Sequence, residues 1–249
     1  MKINQKLNEK FKESKGLLPL RSLSVSSFLK VGGHLGNQDL HRSQKLLSIG
    51  RKNGIWIYDG ELMKRSLRIA FVYLNYFKER KGDVLVINKE EYLKKAVSVF
   101  CDKMGFYHMQ EKWMGGLLTN WSESKKQKDH FLKVQKSHGR ELEKKGDRLY
   151  NKIKTRYTGI EKMSKLPSLC VILDIEENRD AFKEAQRLRI PVVAFLNTDH
   201  DLSGVDVPIF GANKSLSWIR WVFNLFLVWD FESSKITDSN KKNETTQTF

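Results

Sequence analysis

An α/β fold with a doubly wound, mainly parallel sheet and an inserted basic helical hairpin is predicted by three observations. Apolar runs alternate with amphipathic segments over residues 83–108 and again over 169–210. Runs such as Val84-Leu85-Val86-Ile87 and Val192-Val193-Ala194-Phe195-Leu196 are continuously apolar, as strands buried on both faces of a parallel sheet are. Between Trp121 and Lys165 the alternation gives way to a stretch with 14 Lys and Arg against 6 Asp and Glu.

In chain order, residues 1–22 read as a polar, Lys-bearing N-terminal extension, either a loose helix ending near Gly16 and Pro19 or, the favoured reading, a disordered tail. Ser24 can cap a short helix through Phe28 and Leu29, stopped at Gly32-Gly33, and a polar loop follows from His34 to Arg42. Leu46, Leu47 and Ile49, then Ile55 to Tyr58, read as two strands joined by Gly50–Gly54, because Asn-Gly between apolar runs signals a hairpin. Asp59 can cap the next helix, whose apolar face includes Leu67, Ala70, Leu74 and Phe77 and which ends at Lys81-Gly82. Strand Asp83–Ile87, helix Glu90–Lys103 and a short strand over Phe106–His108 lead into the turn Trp113–Trp121. There two indoles bracket Gly115-Gly116, a pair that permits a sharp bend, and Thr119 or Asn120 can cap the helix beyond. A packed corner is the plainest reading of that turn.

Gly139 and Gly146 offer breaks in the Lys-rich insert, so it reads as two helices over about 120–160. The alternation then resumes with strand Leu169–Leu173, helix Arg179–Leu188, strand Pro191–Leu196 and strand Val207–Phe210. The last helix, Lys214 to Phe231, is rich in Trp, Phe and Leu; Arg220 and Asn224 interrupt it, and it falls short of the roughly 20 apolar residues a bilayer needs, so it reads as a core helix. Residues 232–249 read as a disordered polar tail, which leaves residues 23–231 as one α/β domain.

The chain has 249 residues with 45 Lys and Arg against 29 Asp and Glu, a formal charge of +16. Such an excess repels itself unless an anion is nearby; nucleic acid is the commonest, an anionic membrane surface the next. Cys101 and Cys170 are the two cysteines, with no CxxC, so neither a disulfide framework nor a zinc finger is indicated and a reducing compartment fits. Met1–Lys15 lacks the apolar core of a signal peptide and the Arg-rich pattern of a transit peptide, so the expectation is a protein that works where it is made or has lost its leader.

Doubly wound sheets often hold nucleotides at the carboxyl ends of their strands. Here Ile87 is followed by Asn88-Lys89-Glu90, and no GxGxxG or GxxxxGK[ST] follows any strand. Asp174 could hold Mg²⁺ or a ribose but reads better as a turn cap; Asp199-His200-Asp201 has metal-capable side chains in one polar loop; His34 has no assignable partner carboxylate or nucleophile. The expectation is no catalytic residue, no cofactor, no metal and no small-molecule substrate.

These residues resemble the universal second protein of the small ribosomal subunit in its bacterial and organellar form. The resemblance runs through Val31–Gly36, Gly50–Ile55, Trp113–Trp121, Leu166-Pro167 and the strand to Asp174, Glu184-Ala185, Ile190-Pro191-Val192 and Asn197-Thr198-Asp199, in order and spacing, over roughly residues 24–231. It implies a Rossmann-like or flavodoxin-like sheet on the solvent side of the small subunit between head and body. It also implies contacts to small-subunit ribosomal RNA and neighbouring ribosomal proteins, no membrane, and in bacteria a part in docking the large messenger-binding ribosomal protein numbered first. The insert looks shorter than the bacterial hairpin, Gly33 stands where the family often has a bulkier residue, and the two extensions have no counterpart. On this resemblance the RNA-contacting residues are expected among His34, Arg42, Arg51, Lys52, Lys112, Trp113, Asn120, Lys125, Lys126 and Lys128, with Trp113 equally suited to the core. The unmatched extensions and divergent body suggest a mitochondrial, organelle-encoded ribosome, with plastid and bacterial ribosomes as alternatives. Two competing classes are a nucleotide-dependent or RNA-acting enzyme on the same sheet and a peripheral membrane protein using the last helix.

Overall fold

The computed structural model describes residues 23–246, so the N-terminal extension 1–22 and residues 247–249 lie outside the described residues. The described residues divide into two compact units: one comprises residues 23–79, 197–201 and 209–246, the other residues 80–196 and 202–208.

The first unit begins with α1, Val25–Leu29, where the Ser24 hydroxyl accepts from the Ser26 amide at 3.3 Å. A 3-10 helix, Arg42–Leu47, leads into β1, Ser48–Lys52, paired antiparallel with β2, Ile55–Tyr58. The ribbon therefore starts later than the sequence suggested. His41 Nδ1 accepts from the Ser43 amide and stabilises a helical turn that takes up Leu46 and Leu47. Gly50–Lys52 pair as strand, leaving Asn53-Gly54 as the two-residue turn; their φ of 51° and 81° are the two positive values a type I′ hairpin requires. A segment from His34 to Asn37 lies along the other edge of β2 through its backbone.

Helix α2, Gly60–Glu79, is entered through Asp59, whose Oδ1 accepts from the Glu61 amide at 2.8 Å. It buries Met63, Leu67, Ala70, Phe71 and Leu74 on one face. Helix α7, Leu216–Thr246, packs on it: Phe71 meets Trp229 edge-on at 5.0 Å, and Lys78 Nζ lies 2.6 Å from Asp230. Trp218, Ile219, Val222 and Phe226 are buried, so this is a core helix, and among the described residues no helix is long and apolar enough to cross a membrane. It does not stop at Phe231. Ser233 and Ser234 bond back to the Trp229 and Asp230 carbonyls at 2.7 and 2.9 Å, and neither Gly nor Pro occurs between Leu216 and Thr246 to end it. Gly33 has a packing role of its own: a Cβ there would come within 2.2 Å of the Trp218 ring, so the indole occupies the room a bulkier residue would take.

The second unit holds β3, Val84–Ile87; α3, Lys94–Met104; β4, Tyr107–Met109; α4, Trp121–Lys144; α5, Arg148–Tyr157; β5, Leu169–Ile172; α6, Arg179–Arg187; and β6, Val192–Leu196. With β7, Val207–Phe210, the strands form a sheet of order β4-β3-β5-β6-β7. β3 runs parallel to both β4 and β5, and β5 to β6, with Leu85 opposite Tyr107, Val84 opposite Leu169 and Cys170 opposite Val192. Every residue of β3, β5 and β6 is buried, which is why their sequences do not alternate. The strand order reverses direction between β3 and β5, so the doubly wound fold has its switch point there.

Candidate nucleic-acid interface

The Trp113–Trp121 turn is organised around a side chain that does not belong to it. The carboxylate of Glu184, on α6, accepts five hydrogen bonds from this turn. The Trp113 indole N–H and the Gly116 amide donate to Oε1 at 2.9 and 2.7 Å; the Leu118 and Thr119 amides donate to Oε2 at 2.9 and 3.1 Å, and the Thr119 hydroxyl also reaches Oε2. Gly116 has φ +85°, a left-handed value that turns its N–H inward and that glycine adopts without cost. Glu184 is 6% exposed. Burial pushes its pKa up, but the indole and the Thr119, Gly116 and Leu118 amides together outweigh burial and hold it below the ordinary glutamate value. Leu117 and Leu118 complete the corner by entering the core. Trp113 is thus half-buried and bonded within the fold, as the packed-corner reading has it.

The turn feeds directly into α4, and Gly146 (φ +66°) and Asp147 then reverse the chain into α5; Asp147 Oδ1 caps α5 by accepting from the Tyr150 amide at 2.9 Å. Gly139 is no break. It lies within α4, and a Cβ there would stand 2.8 Å from the Tyr150 hydroxyl, so its missing side chain lets the two helices approach. Phe131 of α4 packs on Tyr150 and Tyr157 of α5 at 5.6 and 5.7 Å between ring centres. Apolar packing on one side leaves Lys133, Lys136, Arg148 and Lys152 exposed on the others.

The expected contact residues fall into three groups. Lys112, Asn120 and Lys126 are exposed and Lys125 is partly exposed, all in the second unit; Lys126 also lies 3.5 Å from Glu123. Lys128 is a correction. It is 3% exposed, and its ammonium donates to the Glu161 and Met163 carbonyls at 2.9 and 2.6 Å, with Asp129 at 3.5 Å. Counting positive charges along the insert could not separate this cation, which ties α4 to the segment after α5, from its solvated neighbours. In the first unit Arg42, Arg51 and Lys52 are exposed on the ribbon and the turn before it, Arg51 also donating to the Gly54 carbonyl at 2.9 Å. His34 is partly buried with Nδ1 enclosed and unpartnered, and burial lowers its pKa below 6.5, so at pH 7 it brings no charge to a phosphate.

Sequence reasoning passed over two residues with large structural duties. Glu184 is one; a Gly-Gly turn with several amides and no local acceptor was the available signal. Gln44 is the other: buried in the first unit, it donates to the Asn197 and His200 carbonyls at 2.5 and 2.6 Å and accepts from the Tyr58 hydroxyl at 2.7 Å.

The switch point of the sheet is filled by its own residues. Asn88, just past β3, bonds both ways with the backbone of Glu90, and Asp174 accepts from the Glu176 and Glu177 amides at 2.9 and 3.1 Å, the role of a turn cap. Lys89 and Glu177 pair across the crevice at 2.8 Å. Among the described residues no group of three or more His, Cys, Asp or Glu is placed to hold a metal ion.

Fold and site together define a doubly wound α/β protein whose prominent feature is a basic helical hairpin sprung from a carboxylate-anchored turn. The chain belongs to the ribosomal protein S2 family, whose model matches residues 28–228. Among its relatives, "Small ribosomal subunit protein uS2" of Rickettsia canadensis (strain McKiel) is 26% identical over 219 residues, 82% of this chain and 73% of the relative. The protein of the same name from Desulfatibacillum aliphaticivorans is 29% identical over 208 residues, 80% of this chain and 71% of the relative.

Proposed function

We propose that the chain is a structural component of the small ribosomal subunit, non-catalytic, which binds ribosomal RNA and neighbouring ribosomal proteins and so supports translation. The observation that carries this reading is the hairpin: exposed Lys and Arg on a scaffold held rigid by Glu184 and Lys128. Cations of this kind neutralise phosphates and grip a folded RNA by shape, without reading bases. Lys112, Lys125, Lys126 and the exposed cations of α4 and α5 are the proposed phosphate contacts, with Asn120 beside them. Family membership supports the ribosomal setting.

Sedimentation tests it. A tagged chain should comigrate with the small subunit in a magnesium-containing gradient and stay with it after chelation splits the subunits; a chain left at the top of both gradients would overturn the reading, and a melting shift with nucleotides would then favour a nucleotide-dependent enzyme. Run on lysates of mitochondria, plastids and bacteria in turn, the same gradient decides the compartment, for which we propose the mitochondrial ribosome. Changing Lys125 and Lys126 to Glu should lower subunit occupancy by about tenfold and reduce the salt dependence of RNA binding by about two charges, with melting of the free chain unchanged. Undiminished occupancy would remove both lysines from the interface.

A further inference from the structure

Among the described residues, the β1–β2 ribbon of the first unit leaves an apolar surface uncovered. Across one row, Leu35 stands opposite Ile57 and Ile57 opposite Gly50, with Ile55 opposite Lys52 in the same ribbon. Leu35 is 39% exposed and the two isoleucines are half-buried. A Cβ added at Gly50 would meet nothing within 4 Å, so the face beside Ile57 is open there. Leu46, in the 3-10 helix that leads into β1, is 93% exposed, and Ile49, at the shift in register between Ser48 and Gly50, is 70% exposed. Around these lie Arg42, Lys45, Arg51 and Lys52, all exposed, and residues 42–52 contain no Asp or Glu.

We propose that this ribbon docks a protein whose contact segment offers aliphatic side chains flanked by carboxylates. The proposal rests on the ribosomal reading above and assigns Arg42, Arg51 and Lys52 to a protein neighbour rather than to RNA. Two observations select the partner. An apolar centre ringed by charge is the anatomy of a protein interface, and the ring here is of one sign, so its complement is acidic. RNA bases stack on aromatic rings and guanidinium planes, whereas the exposed centre here is Leu and Ile, which aliphatic side chains cover better than a charged ribose-phosphate chain does.

The test places a benzophenone-bearing phenylalanine at Ile49 of the full chain, in cells, followed by irradiation and sedimentation. The expected adduct lies in the small-subunit fraction, is destroyed by protease and resists ribonuclease, and its partner peptide is rich in Asp and Glu. Gly50→Val, which adds to the open face a side chain that strands favour and that touches nothing in the free chain, should leave melting unchanged while cutting adduct yield about tenfold, because a misfitting group in a packed contact displaces the partner. Should Val lower the melting temperature, Gly50→Ser replaces it. A ribonuclease-sensitive adduct, no adduct from a chain that does sediment with the subunit, or an undiminished yield from the Gly50→Val chain would overturn the docking surface. A chain absent from the subunit fraction would instead overturn the ribosomal reading on which it rests.

Discussion

Glu184→Ala is expected to lower the unfolding free energy by about 4 kcal/mol, because it strands the Trp113 indole and the Gly116, Leu118 and Thr119 amides, and each buried donor left without an acceptor costs about 1–3 kcal/mol before water relieves part of it. In a chain of this length that corresponds to a fall in Tm of about 8–16 °C. Glu184→Gln is the sharper variant. Each carboxylate oxygen serves two N–H donors, so whichever way the carboxamide turns, its NH₂ faces two of them; a loss of about 2–3 kcal/mol follows. Thermal unfolding followed by tryptophan fluorescence reads both effects, and a Gln variant melting within about 2 °C of the parent would show that the turn holds without the charge.

The same carboxylate gives the expected result a pH signature. Its pKa is lowered in the folded chain, so the folded state binds this proton less readily than the unfolded state does. Its contribution is fully present above 4.5, the ordinary value, and is lost as pH falls below that toward the depressed value. The difference in stability between parent and Glu184→Gln should therefore be constant from pH 7 to 5 and shrink below pH 4.5. A difference that grows as the solution is acidified would contradict the assignment.

Lys128→Glu is the second large effect. It places a carboxylate where two carbonyl oxygens converge, removing a buried cation and adding a buried like-signed group, at a cost of about 4–5 kcal/mol. Lys128→Met keeps the aliphatic stem and should cost about half as much, since the two carbonyls lose their donor and Asp129 its ion-pair partner but no new charge is buried. Amide hydrogen exchange over residues 158–165 should accelerate in both, in the free chain with no RNA present. The Lys125 and Lys126 substitutions should leave that exchange unchanged, so comparing the two sets separates the lysine that builds the hairpin from the lysines that use it. Unaltered exchange and melting in Lys128→Met would return Lys128 to the exposed group.

The sheet was legible in the sequence because burial on both faces leaves continuous apolar runs, and Val84–Ile87, Leu169–Ile172 and Val192–Leu196 have no other natural setting. The hairpin turn was legible because Asn53 and Gly54 both tolerate positive φ. What escaped depended on partners distant in sequence. Glu184 lies 65 to 71 residues from its donors and reads locally as one more charge on an amphipathic helix. Lys128 is one of 14 cations in its segment and differs from them only through carbonyls 33 and 35 residues away. Gly139 looked like a break because glycine in a helix is costly, and the compensating gain, room for Tyr150, belongs to another helix. Helix α7 runs on past Phe231 because polarity alone does not stop a helix, and the serines there bond back to it.

The discontinuity of the first unit bears on how the protein is made. Its residues up to 79 leave the synthesis machinery early, but Asn197 and His200, whose carbonyls Gln44 requires, and α7, which covers Phe71, are translated after the whole of residues 80–196. At about 5–20 residues per second the wait is on the order of ten seconds. Throughout it the part of α2 that α7 covers, Phe71 included, lacks that cover, while the central segment already has its strands, its hairpin and Glu184. The nascent chain is thus expected to mature from the middle outward, with α2, an early-made helix, fully housed only at the end and, for that interval, the natural client of a chaperone.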